Sequence, residues 1–111
     1  MIIDIFGSPW IINENVDDPD LFDEDCAGFC DYSSKTIHTR RFKDDELKCV
    51  GDVMALRKYI LRHKLIHAAL LECGLGDNWT REPMGHDETA IDWLAHKAPQ
   101  LHEIFEKANA L

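Results

Sequence analysis

Positive charge is scarce in this chain. Twelve Lys and Arg stand against twenty-one Asp and Glu, leaving a formal net charge of -9. Basic residues cluster only at Arg40-Arg41 and between Arg57 and Lys64. Nucleic-acid phosphates are gripped by grouped Lys and Arg, so direct nucleic-acid binding is not expected. Long apolar runs are missing too. No stretch approaches the ~20 residues of a membrane-spanning helix, which excludes a membrane partner of that kind. The start, Met1-Ile2-Ile3-Asp4-Ile5, has no basic leader and an early acid, so it does not read as a secretory signal. Cysteine is sparse and never occurs as Cys-x-x-Cys. Cys26, Cys30, Cys49 and Cys73 therefore read as small buried or half-buried reduced thiols of a cytoplasmic protein. The Cys26-x-x-x-Cys30 spacing is only a weak metal signature. A Ser or Cys nucleophile is excluded for want of any matching local motif.

What is present fits one α+β domain over residues 1–111. A chain of this length buries roughly two thirds of the surface its unfolded form exposes, enough for a core without staples. Residues 1–25 read as an N-terminal strand and acidic loop, and 26–111 as the core. Ile2 to Phe6 reads as a strand, Gly7-Ser8-Pro9 as punctuation, and Trp10 to Val16 as a second extended piece. Ala27 to Tyr32 and Thr36 to Arg40 flank Ser33-Ser34-Lys35 as an antiparallel hairpin. Asp44 or Asp45 is expected to cap a short helical turn. Asp52 opens a helix with no Gly or Pro from Val53 to Glu72, and Gly74 closes it. Leu56, Ile60, His63, His67, Leu70 and Leu71 form one apolar stripe; Met54, Leu61, Leu65 and Ala68 form another. That breadth places the helix at the centre of the core. Gly74 to Gly85 reads as loop. Asp87 caps a helix from Glu88 to Lys97, and Pro99 opens a last helix toward Ala110, with Leu101, Ile104, Phe105 and Ala108 inward. The expectation is a small antiparallel sheet on about three helices.

Seven acids fall between Glu14 and Asp25. A run of this kind is ordinarily a solvated loop; its functional reading is a surface for a basic protein partner.

His63 and His67 enclose Lys64, Leu65 and Ile66. Histidines at i and i+4 share one helix face and suit two ligands of one tetrahedral Zn²⁺. A catalytic zinc takes three protein ligands and keeps one position open, so a third donor must return from elsewhere. Glu88 is the leading candidate, with His86, Asp87 and Asp92 as alternatives. Asp92 lies one turn past Glu88, placed to hold a ligand histidine's second nitrogen. Tyr59, Trp79 and Trp93 read as packing or loop anchors, and His38, His86, His96 and His102 as surface residues.

His63-x-x-x-His67, followed by Glu88-x-x-Ile91-Asp92-x-Leu94-Ala95, resembles the ImmA/IrrE-like zincin metallopeptidases, and more narrowly their small phage and prophage members. The resemblance covers roughly residues 26–108. It implies a minimal zincin fold, with His63, His67 and Glu88 as zinc ligands. It also implies that the general base belongs at position 64, where this chain carries Lys64. A protonated ammonium has no lone pair to accept a proton. At ~5.5 Å and an effective dielectric of ~20, it is repelled by about 3 kcal/mol per unit of metal charge. Two functions follow as expectations. One is a zinc-binding, peptidase-like protein impaired as an enzyme, acting on or binding a protein or peptide. The other is a non-enzymatic module that meets a basic host partner through its acidic segment.

Overall fold

The computed structural model describes residues 1–23, 25–75 and 87–111. Trp79, His86 and most of the loop expected over Gly74 to Gly85 lie outside those residues. Four strands form one sheet: β1 (Ile2–Ile5), β2 (Ser8–Val16), β3 (Gly28–Asp31) and β4 (Thr36–Arg40), in the order β1-β2-β4-β3. Among the described residues two long helices follow, α1 (Val53–Glu72) and α2 (Glu88–Lys107), with a 3-10 turn over Asp44–Leu47 before them. The architecture is α+β.

Local chemistry explains each element. Phe6 and Gly7, both at positive φ, make the two-residue turn that matches the twist of a hairpin, and β1 pairs antiparallel with β2. Asp31 builds the β3–β4 turn by accepting from the backbone amides of Ser33 and Ser34. The 3-10 turn is entered through Lys43, whose amide donates to Glu46 (3.0 Å), rather than through Asp44 or Asp45. Asp52 caps α1 by accepting from the Ala55 amide at 3.0 Å. At the far end Gly74, at φ +79, lets the Leu75 and Gly74 amides reach back to Leu70 and Leu71.

The sheet is mixed, where the sequence suggested an antiparallel one. β2 runs parallel to β4, with Ile12 opposite Ile37. The acidic segment is the crossover that makes this possible, carrying the chain from the end of β2 to the start of β3. The core therefore draws heavily on the first residues. Ile5, Trp10, Ile12, Ile37 and Ala68 are buried together, with Leu61 and Leu65 packed against them. α1 serves two neighbours: Leu61, Leu65 and Ala68 meet the sheet, while the two histidines belong to the side that meets α2. Met54 does not join its expected stripe and is exposed.

The expected helices on either side of Pro99 are one helix. Proline has no N–H, so it leaves the carbonyl four residues earlier without its helical donor, and this is what ordinarily ends a helix. Here that carbonyl, Ala95 O, accepts instead from Nε of Arg62 on α1 at 2.7 Å. Ala95 is fully buried, and the guanidinium supplies the bond the ring removed. The helix continues to Lys107. Its last turns gain no cover: Ile104 and Phe105 are exposed, as is Trp93 on the outer face.

Candidate metal centre

α1 and α2 meet along three side-chain rungs, each one helical turn from the next. Tyr59 stacks on His96 with ring centroids 4.2 Å apart. His63 Nε2 lies 2.8 Å from Asp92 Oδ1. His67 Nε2 lies 2.8 Å from Glu88 Oε1. Numbering rises along one helix as it falls along the other, so the helices are antiparallel. Positions four apart on each present matched faces.

Glu88 bridges two rungs, because its Oε2 is also 3.3 Å from His63 Nε2. One donor atom each from His63, His67 and Glu88 lie within 4.8 Å of one another. Tetrahedral zinc with bonds of ~2.0–2.1 Å spaces its ligands by about 3.3 Å. The donor types and their separations fit such an ion with small adjustments of side chain. The two imidazoles are largely sheltered, with side-chain exposures of 13% and 12%, while Glu88 at 46% and Asp92 at 53% face outward. A cation there would be held on an inner wall of neutral nitrogen and an outer wall of carboxylate.

The other candidates are distributed as follows. Asp87 spends its carboxylate on the α2 N-terminus, accepting from Thr89 and Ala90 amides at 3.3 Å. Asp92 differs from its expected role. It approaches Nε2 of His63, the same nitrogen that Glu88 approaches, and not the second nitrogen of the ring. The cause is the antiparallel pairing, which sets both α2 acids on the open side of the imidazoles. Lys64 is half-buried and lines, with Cys26, Gly28, Tyr59, Ile60 and His63, a groove of about 330 Å³ between the start of β3 and α1. Gly28 permits the tight pairing there, since a Cβ would meet His38 O at 2.5 Å.

Cys26 donates to Gly28 O and Cys30 to Lys64 O, both at 3.2 Å, so neither thiol turns to the donor set. Burial pushes the Cys30 thiol up to about 11. Cys49 and Cys73 are exposed, against expectation, because each follows the end of a helical segment rather than lying within a face. His38 is half-buried, packed 4.8 Å from Phe29, and His102 is exposed and paired with Glu106. The sequence reading missed the role of His96, which shelters Tyr59. Burial first, then the charges of Asp92 and Glu88 and a hydrogen bond with Asp92, raise the Tyr59 hydroxyl above the ordinary phenol value. The signal was available in the i,i+4 spacing of His96 after Asp92. No family model, curated protein or solved structure matches this chain.

Proposed function

We propose that the protein is a zinc-binding, metallopeptidase-like protein, impaired or inactive as a peptidase, with His63, His67 and Glu88 as its metal ligands. The observation that carries this reading is the convergence of two sheltered imidazole nitrogens and a carboxylate from a separate helix. Two histidines one turn apart and a carboxylate from a second helix match the three-protein-ligand set that a catalytic zinc takes. A divalent ion held there by His63, His67 and Glu88 would supply Lewis acidity, able to polarise a carbonyl or acidify water. The residues do the remaining work. His63 and His67 supply neutral nitrogen, Glu88 supplies charge, and the α1–α2 packing fixes their separation. Lys64, in the place where the resembled zincins carry their base, accepts no proton while it is charged. Loss of a positioned general base typically costs ~10²–10⁴ in rate. The resemblance to ImmA/IrrE-like phage and prophage proteins points the same way, to a cytoplasmic protein that keeps the fold to bind a protein or peptide. No helix among the described residues is long and apolar enough to cross a membrane.

One observation favours the second reading, a module that binds a basic host protein. Asp17, Asp18, Asp20, Asp23 and Asp25 are all exposed around the crossover.

The zinc assignment is tested by His63→Ala. Elemental analysis of protein equilibrated with zinc and desalted is expected to find one zinc per wild-type chain and none in the variant. Equal zinc in both rejects the ligand set.

A further inference from the structure

We propose that this chain forms a two-fold dimer through α2, with two copies of the helix lying antiparallel along an apolar stripe. The inference stands apart from the metal reading, because it uses the other side of the helix.

The stripe follows from spacing. Leu94, Leu101 and Ala108 stand seven residues apart, about two turns each time, so they fall in line along α2. Trp93, Ile104 and Phe105 flank that line. A helix buries one apolar face against its own domain, and α2 does so with Ile91 and Ala95. The stripe is a second face, and it lacks cover. Trp93 is 54% exposed, Leu94 36%, Ile104 57% and Phe105 45%. Single exposed apolar residues are ordinary, but a contiguous group of them marks a contact surface.

Charge selects the occupant. At -9 the chain repels its own copy from most directions of approach. The acids of α2 avoid the stripe. At 3.6 residues per turn, Glu88, Asp92, Glu103 and Glu106 all fall on the opposite side of the helix. Lys97 is the one charged residue within the stripe, and its long stem covers apolar surface while the ammonium reaches the rim. A basic partner finds no acid here to pair with. A second copy finds an apolar face that matches its own.

Geometry selects the arrangement. A straight face on one helix is self-complementary about a two-fold axis across its middle. Antiparallel copies then set Trp93 and Leu94 of one against Ile104 and Phe105 of the other, and oppose the two helix dipoles. From Trp93 to Ala108 the stripe is about 22 Å long, at ~1.5 Å per residue. Paired with its copy it removes roughly 1,000 Å² from water, the floor of a specific interface, so the dimer is a weak one with Kd in the micromolar range.

Sedimentation equilibrium of the full chain, from about 5 to about 500 μM, tests the proposal. Wild-type protein is expected to pass from monomer to dimer across that range. The transition is expected at lower concentration as salt is raised, because salt screens the repulsion between two acidic copies. Ile104→Glu and Phe105→Glu, both at exposed positions, are expected to raise Kd about tenfold or more while keeping the circular dichroism of the wild-type fold. Ile104→Ser, a milder change, is expected to raise Kd by a smaller factor and serves in their place if a glutamate disturbs the helix. Glu103→Gln, on the opposite side, is expected to leave Kd within about twofold. Wild-type protein that stays monomeric throughout would overturn the proposal and leave the stripe for another protein to cover. A dimer that the Ile104 and Phe105 variants leave intact would overturn it too, since its interface would lie elsewhere.

Discussion

Helix α1 carries a carboxylate-centred cluster on each of two sides, and the two are built differently. At its C-terminal end Glu72 is met by the sheet. Trp10 Nε1 donates to its Oε1 at 2.8 Å, Ser8 Oγ donates to its Oε2 at 3.1 Å, and the Lys35 ammonium pairs with it at 2.9 Å. Lys35 also donates to Ser8 Oγ, closing the group on itself. On the α2 side, Glu88 and Asp92 share two imidazole nitrogens and no Lys or Arg pairs with either among the described ion pairs. One cluster has as many donors and as much positive charge as its carboxylate needs. The other has two carboxylates and a shortage of both. The complete cluster is a clasp that the fold makes alone. In the reading proposed above the incomplete one would take a cation's charge from solution, and this contrast is what would separate a structural salt bridge from a candidate metal centre.

Three measurements break or sharpen that contrast. The largest effect is expected from the metal itself. Zinc that binds only the folded chain adds about 2.7 kcal/mol of stability at a free concentration a hundredfold above Kd. In a domain of this size 1 kcal/mol moves Tm by about 4–8 °C, so zinc is expected to raise the melting temperature by roughly 10–20 °C over chelator-treated protein. Differential scanning calorimetry reads this directly, and identical transitions with and without zinc would contradict it.

A smaller loss is expected from Arg62→Ala. It leaves the buried Ala95 carbonyl without a donor, at about 1–3 kcal/mol for an unsatisfied buried group. Urea denaturation measures the loss, and Arg62→Lys is expected to recover part of it. A wild-type midpoint in Arg62→Ala would mean that α2 bridges Pro99 without help.

The smallest effect concerns pH. Lys35, and then the hydrogen bonds from Trp10 and Ser8, lower the Glu72 pKa below the ordinary glutamate value against the opposing effect of burial. A depressed carboxyl stabilises the fold above its unfolded pKa, and that contribution disappears as pH falls through the folded value. Glu72→Gln is therefore expected to be less stable than wild type above about pH 5, with the gap narrowing under acid. A gap that is flat with pH would show that Glu72 acts by shape and not by charge.

Much of this arrangement is legible in the sequence, for reasons that differ by element. Asp52, Gly74 and Asp87 mark helix ends because capping is settled within four residues. The strands follow from alternation and from turn residues. The sheet order does not, since the β2–β4 pairing spans the acidic crossover and depends on tertiary packing. The continuity of α2 was hidden because the donor that compensates for Pro99 is Arg62, 33 positions before the Ala95 carbonyl it reaches. For the site, helical periodicity alone groups His63 with His67 and Glu88 with Asp92. Which nitrogen each acid meets depends on how the two helices are oriented, and no local pattern encodes that.

The proline in α2 has a mechanical consequence. Two packed helices are held in register by the interdigitation of their side chains, and a backbone bond between them adds a second, directional constraint. Pro99 cuts a single notch, at the oxygen of Ala95, and Arg62 is the tooth that fits it. Displacing α2 by one turn would disengage the tooth and carry Glu88 and Asp92 past the imidazoles they face. An imino acid with no part in the donor set thereby adds a contact that favours the alignment the side-chain rungs also require.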